Sequence, residues 1–195
     1  YPEIEDEILK PLRRAELAIH CYEPKRTDEN IAELSTTYPD SLKVEELLYA
    51  ATLTEDDDTK LAIYESVIDE YPDNWKGYNN VGYVNLMLGN IDEAAKSLEK
   101  AKTLAPNNPM VLNNLGAIAS KNEDYETAAS LYSSAQQNGS KASYNNGILQ
   151  IVDGEFSAAL SSFSGKKCNY NMALAKIMNN NPSGAASDLE CAEKN

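Results

Sequence analysis

Four asparagines, Asn80, Asn114, Asn145 and Asn171, each stand two residues ahead of a small residue: Gly82, Gly116, Gly147 and Ala173. A carboxamide carries both donor and acceptor. A column of them can hold the backbone of an extended peptide without regard to its sequence. The competing use is local, each amide bonding the backbone of neighbouring helix. Both uses are open to these residues.

Catalytic chemistry finds no comparable pattern. The single histidine, His20, has no nucleophile and carboxylate at a spacing it could serve, and GxSxG, GxxxxGK[ST] and HExxH are all absent. Carboxylates are abundant but lie on a solvated acidic surface, a poor setting for acid–base work. No enzymatic activity is expected of this segment. His20 and Cys21 are adjacent, so on a helix they point ~100° apart, and no further ligand is near. Cys21, Cys168 and Cys191 form no CxxC pair for zinc, and an odd number cannot complete a disulfide framework. They read as small buried hydrophobes. The run Glu55-Asp56-Asp57-Asp58 lacks the glycine turn and distal glutamate of a calcium loop. It reads instead as acids ahead of a helix, stabilised by the helix dipole. No cofactor or metal is expected.

The elements that would position the asparagines repeat with a period of 34 between Trp75 and Ser140. Gly82 returns as Gly116, Ala94 as Ala128, Leu98 as Tyr132, Ala101 as Ala135, and Asn79-Asn80 as Asn113-Asn114. Each unit reads as two short helices. Tyr78, Val81, Gly82 and Leu86 share one helical face, and Gly89 breaks the pattern. Asp92 is placed to cap a second helix carrying Ala94, Leu98 and Ala101, with Pro106 beyond its end. The small residues allow the two helices to nest within ~8–10 Å. Such a unit cannot bury its apolar stripe alone and must stack on neighbours.

A small residue at the eighth position, Ala at the twentieth, Leu or an aromatic at the twenty-fourth, Ala at the twenty-seventh and Pro at the thirty-second resemble the tetratricopeptide repeat (TPR). Residues 75–108 carry all of these, and 109–142 all but the proline, replaced by Ser140. The resemblance implies an all-α, right-handed α-solenoid of antiparallel helix pairs, about twelve helices in all. It also implies a concave groove lined by the column of Asn80, Asn114, Asn145 and Asn171 at the sixth position. Other groove positions, by the same analogy, are Lys76, Asn79, Tyr83, Leu86 and Met87, then Asn113 and Lys121, then Lys141, Tyr144, Ile148 and Ile151. Tyr83 and Tyr144 would either anchor a partner or pack between units. The cationic clamp by which some of these proteins hold a C-terminal carboxylate is not matched. Asn145 and Asn79 stand where it needs Arg and Lys, and Tyr83 replaces its Asn; only Lys141 and Asn114 fit.

Flanking segments depart from the pattern. Residues 1–40 read as an irregular helical hairpin: a helix over about 3–22, bent or broken at Pro11, then one capped by Thr27 or Asp28 and ending before Tyr38-Pro39. Residues 41–74 resemble a divergent repeat, with a first helix carrying Leu42 to Leu53 and Lys60 in place of the expected Ala. Residues 143–166 form a shortened unit ending on Lys166, and 167–195 a degenerate one. A chain starting at Tyr1 and stopping just after the last unit suggests a processed or excised segment, with a cap or further chain missing.

Net charge is −14, and its distribution is uneven. Residues 1–74 hold 20 acidic against 7 basic side chains, and the remainder 11 against 10. Nucleic acid and anionic lipid surfaces would be repelled, and no apolar run approaches the ~18 residues of a membrane span. A neutral or basic protein or peptide partner is expected, and the function reads as a non-enzymatic interaction scaffold. The alternative is a structural spacer within a longer cell-envelope protein. Residues 9–15 and 44–53 faintly resemble bacterial cell-envelope TPR proteins, which favours a periplasmic or surface-anchored location over the cytoplasm.

Overall fold

The computed structural model describes Pro2 and residues 25–140, 143–164 and 169–193. Among them are eleven α-helices, one 3-10 turn at Pro39–Ser41, and no strand. The helix expected over 3–22, with Pro11, His20 and Cys21, lies outside the described residues, as do Lys141, Lys166 and Cys168.

In chain order the helices are α1 (Asp28–Thr37), α2 (Val44–Ala50), α3 (Asp57–Glu70), α4 (Trp75–Leu88), α5 (Ile91–Leu104) and α6 (Pro109–Lys121). They continue as α7 (Tyr125–Gln137), α8 (Ser143–Val152), α9 (Phe156–Ser162), α10 (Tyr170–Met178) and α11 (Pro182–Ala192). Each helix packs on the next, and α4 also touches α6, so the first helices of successive pairs lie side by side. This is an α-solenoid.

Most helices start where a side chain takes a free backbone N–H of the first turn. Thr27 accepts from the N–H of Asn30, Asp56 from Thr59, Asn74 from Lys76, Asn108 from Met110 and Asp124 from Thr127. The acidic run at 55–58 thus does contain a helix cap, Asp56. Asp92 does not cap α5. Gly89 ends α4 in a left-handed conformation at φ 84°, α5 begins already at Ile91, and Asp92 falls inside its first turn. There its carboxylate meets the positive end of the helix dipole.

The small residue at the eighth position has a measurable reason. A Cβ on Gly82 would lie 2.5 Å from Leu98 Cγ, one on Gly116 2.5 Å from Tyr132 Cε1, and one on Gly147 2.5 Å from Phe163 Cε1. In each pair the twenty-fourth-position side chain of the second helix occupies the space that the missing side chain leaves on the first. Leu98, Tyr132 and Phe163 are buried there, and Ala94, Ala101, Ala128 and Ala135 are fully buried beside them. Tyr132 keeps its polar end satisfied, its hydroxyl lying 3.3 Å from Ser120 Oγ. Burial pushes its phenol pKa up.

At the acidic end the helix expected from Leu42 to Leu53 is shorter. Leu42 is buried in extended backbone because its carbonyl accepts from the Tyr71 hydroxyl at 2.8 Å. The Glu46 carboxylate takes the Lys43 N–H at 2.9 Å, which starts α2 at Val44. Thr52 turns back to the Tyr49 carbonyl, leaving Leu53 outside the helix and exposed. Arg26 donates to Glu46 at 2.8 Å and to the Ser41 carbonyl at 3.1 Å, fastening the approach to α1 onto α2. Ile31 of α1 joins Leu47, Ile63 and Val67 in one core.

Cys191 corrects the reading of the cysteines as plain buried hydrophobes. It is disulfide-bonded, its partner lying outside the described residues.

Candidate functional site

The asparagine column lies on α4, α6, α8 and α10, and it is joined from unit to unit. Asn114 Nδ2 donates to Asn79 Oδ1 at 3.1 Å, and Asn79 Nδ2 to Asn80 Oδ1 at 3.1 Å. Asn145 Nδ2 donates to Asn113 Oδ1 at 2.8 Å. Asn171 Nδ2 donates to the Tyr144 hydroxyl at 3.0 Å. The rule is simple. A sixth-position amide donates to the fifth-position side chain of the preceding unit, and adjacent residues on neighbouring parallel helices are brought face to face. Asn80 ends the series against the phenol of Tyr64. That phenol is pushed up by burial and drawn back by Lys60 and by the Asn80 amide.

This arrangement differs from the local use read in the sequence. The four amides neither stand free nor bond to helix backbone; they bond to one another's neighbours. Asn79, the middle of the chain Asn114–Asn79–Asn80, is buried, so its two bonds shield a polar group that would otherwise be costly to desolvate. Having spent one N–H each on the ladder, Asn114 and Asn145 keep Oδ1 without a protein partner among the described residues, as does Asn113 its Nδ2. The face therefore alternates acceptor and donor at fixed positions.

Asn79, Asn113, Asn114 and Asn145, but neither Asn80 nor Asn171, border an open hollow of about 420 Å³ together with Tyr83, Met110, Ser140 and Tyr144. Tyr83 and Met110 are exposed at 49% and 53%, enough apolar surface to seat a partner's side chain. Tyr144 is spent differently. Its ring packs on Phe163, centroids 5.2 Å apart and tilted by 54°, while Ile148 and Ile151 join the same core. Tyr144 thus packs within its own unit, is tied to the next one through Asn171, and still borders the hollow.

The remaining positions scatter. Leu86 packs into the core beside Leu98 and Val111, whereas Met87 is exposed. Lys76 is exposed in the first turn of α4. Lys121 borders a smaller hollow of about 210 Å³ with Ser120, Tyr132 and Asn145. Asn171 lies in the last pair, and Lys141 outside the described residues. Met110 was not among the expected residues, although it occupies the same second position as Lys76 and Lys141 and the column alone pointed to it. A second hollow of about 420 Å³, between the 41–74 unit and α4, was also not expected. Tyr83 lines both.

Residues 75–108 match the family described as Tetratricopeptide repeat. No curated protein sequence matches the chain. Among solved structures, the APC/C hetero-tetramer Cut9–Hcn1 is similar at TM-score 0.72 and 20% identity, over 84% of this chain and 35% of that one. This chain therefore spans about a third of that protein's length. MamA is similar at TM-score 0.56 and 15% identity, over 80% of this chain and 89% of that one. YrrB, described as a TPR protein with an unusual peptide-binding site, is similar at TM-score 0.55 and 19% identity, over 85% and 92% of the two chains. At these identities the likeness is one of fold. With the period, the glycine-to-ring packing and the match at 75–108, the described residues form an α-solenoid of helix pairs in which 75–108 matches a tetratricopeptide repeat.

Proposed function

We propose that the chain is a non-enzymatic scaffold whose concave face binds an extended segment of a protein partner. The observation that carries this is the amide ladder beside the hollow. Asn114 is held by its bond to Asn79, and Asn145 and Asn113 by the bond between them, so their remaining donors and acceptors are pre-organised beside the groove. An extended peptide has the complementary alternation of N–H and C=O, and Tyr83 and Met110 supply apolar footing. Pre-organisation lowers the ordering cost on the protein side, and the sequence-tolerant amides leave selectivity to the side chains.

The disulfide at Cys191 and the likeness of residues 9–15 and 44–53 to cell-envelope TPR proteins favour an oxidising location such as the bacterial envelope. A displayed library of random twelve-residue peptides, selected on the purified chain, tests the binding reading. Enriched peptides should bind Asn114→Ala and Asn145→Ala about tenfold or more weakly, a loss of about 1–3 kcal/mol per amide. Selection of no peptide, or undiminished binding by both variants, would overturn it.

A further inference from the structure

The hollow between the 41–74 unit and α4 has a chemistry of its own. Its lining joins Tyr64, Tyr83, Val84 and Met87 to the charged Glu55, Asp57 and Lys60. Lys60 Nζ lies 3.3 Å from Asp57 Oδ1 and 3.8 Å from Glu55 Oε2, and also donates to the Glu55 carbonyl at 3.4 Å. One ammonium therefore faces two carboxylates. The Glu55 side chain is fully exposed and that of Asp57 about half so, which leaves both with acceptor capacity that Lys60 does not use. Asp56 is committed to its cap and Asp58 follows it, so the surrounding field is negative too. Tyr83 and Met87 are exposed at 49% and 64%, apolar surface in the same hollow as the two carboxylates.

We propose that this hollow is a specificity pocket for a basic side chain of the same extended segment, arginine above lysine. The inference rests on the binding reading given above. Continuity comes from Tyr83, which lines both hollows, so a segment lying along Asn79 and Asn114 runs directly onto this one. A long cationic side chain fits the two-part lining. Its methylene stem covers Met87 and Val84 while its head reaches the carboxylates. A guanidinium adds stacking on the Tyr83 ring and a planar fork of donors that a second ammonium lacks. An acidic side chain would meet the net negative charge that Glu55 and Asp57 keep beyond Lys60 and would be disfavoured.

The same library of random twelve-residue peptides tests it, selected in parallel on the wild-type chain and on the double variant Glu55→Gln with Asp57→Asn. Neither residue is the cap of α3, and melting curves on both proteins verify that the variant is folded. The expected result is enrichment of Arg or Lys at one fixed register on the wild type, lost on the variant. Wild-type-selected peptides should also bind the variant about fivefold more weakly, and that difference should shrink as salt is raised. Enrichment without a basic position, or with a basic preference the variant keeps, overturns the pocket and leaves the groove reading standing. Failure of any peptide to enrich on either protein overturns both.

Discussion

Asn114 reaches back 35 residues to donate its Nδ2 proton to Oδ1 of Asn79, 3.1 Å away. The interval is one more than the repeat of 34, and that single residue is what turns a column of amides into a ladder. Had each asparagine paired with its own equivalent in the next unit, the fifth-position residues would have no part in it. Because the bond runs from sixth to fifth position, the three intervals between units from 75–108 onward are bridged by side chains from two different columns.

The ladder should be measurable as coupling. Asn79→Ala removes the acceptor for Asn114 and the donor to Asn80, and is expected to destabilise the fold by about 1–3 kcal/mol. Combining it with Asn114→Ala should cost less than the sum of the single changes, with a coupling of about 0.5 kcal/mol or more in urea unfolding. Strict additivity would show that the two side chains do not interact in solution.

The glycine column makes a sharper steric claim. Gly116→Leu sets a side chain where Tyr132 Cε1 already lies 2.5 Å from the first added carbon, and should lower stability by about 1–3 kcal/mol or more. Lys96→Leu, on the exposed side of α5, should change little. Equal effects on thermal unfolding would contradict the packing of α6 on α7.

Acid should loosen the helix starts. Thr59, through its hydroxyl and then its N–H, holds the Asp56 carboxyl below its ordinary value, and Thr127 does the same for Asp124. A carboxyl held low in the folded chain stabilises it when ionised, so that contribution is present above the ordinary carboxylate range and lost as pH falls through the folded value. Melting temperature should therefore drop on acidification below about pH 4. The double variant Asp56→Ala with Asp124→Ala should melt lower than the wild type at neutral pH, with the gap narrowing in acid. A constant gap at every pH would argue that the caps act only by shape.

Cysteine titration addresses the bond at Cys191. With one disulfide among three cysteines, the unfolded, unreduced protein should react with one equivalent of a thiol reagent, and the reduced protein with three. Three equivalents before reduction would remove the support that this bond lends to an oxidising location.

The amino-acid sequence by itself determined the repeat, the helix pairs and the small residues between them. These follow from local rules: a 3.6-residue period, breakers such as Gly89, and volumes that must match across a contact. The period also singled out the asparagines. It did not determine what they bond, because a donor on α6 and an acceptor on α4 meet only after the pairs stack. Nor did it separate Tyr83 from Tyr144, two tyrosines at the edge of one groove, of which one is left exposed and the other is drawn onto Phe163 by the shortened unit. The start of α5 at Ile91 rather than behind Asp92, and the extended backbone at Leu42, were likewise decided by neighbours: a left-handed glycine in the first case, the Tyr71 hydroxyl in the second. Side-chain identity carries over from the sequence, but a hydrogen bond between residues 35 apart depends on the angle at which two helices lie together, and only the stacked solenoid sets that angle.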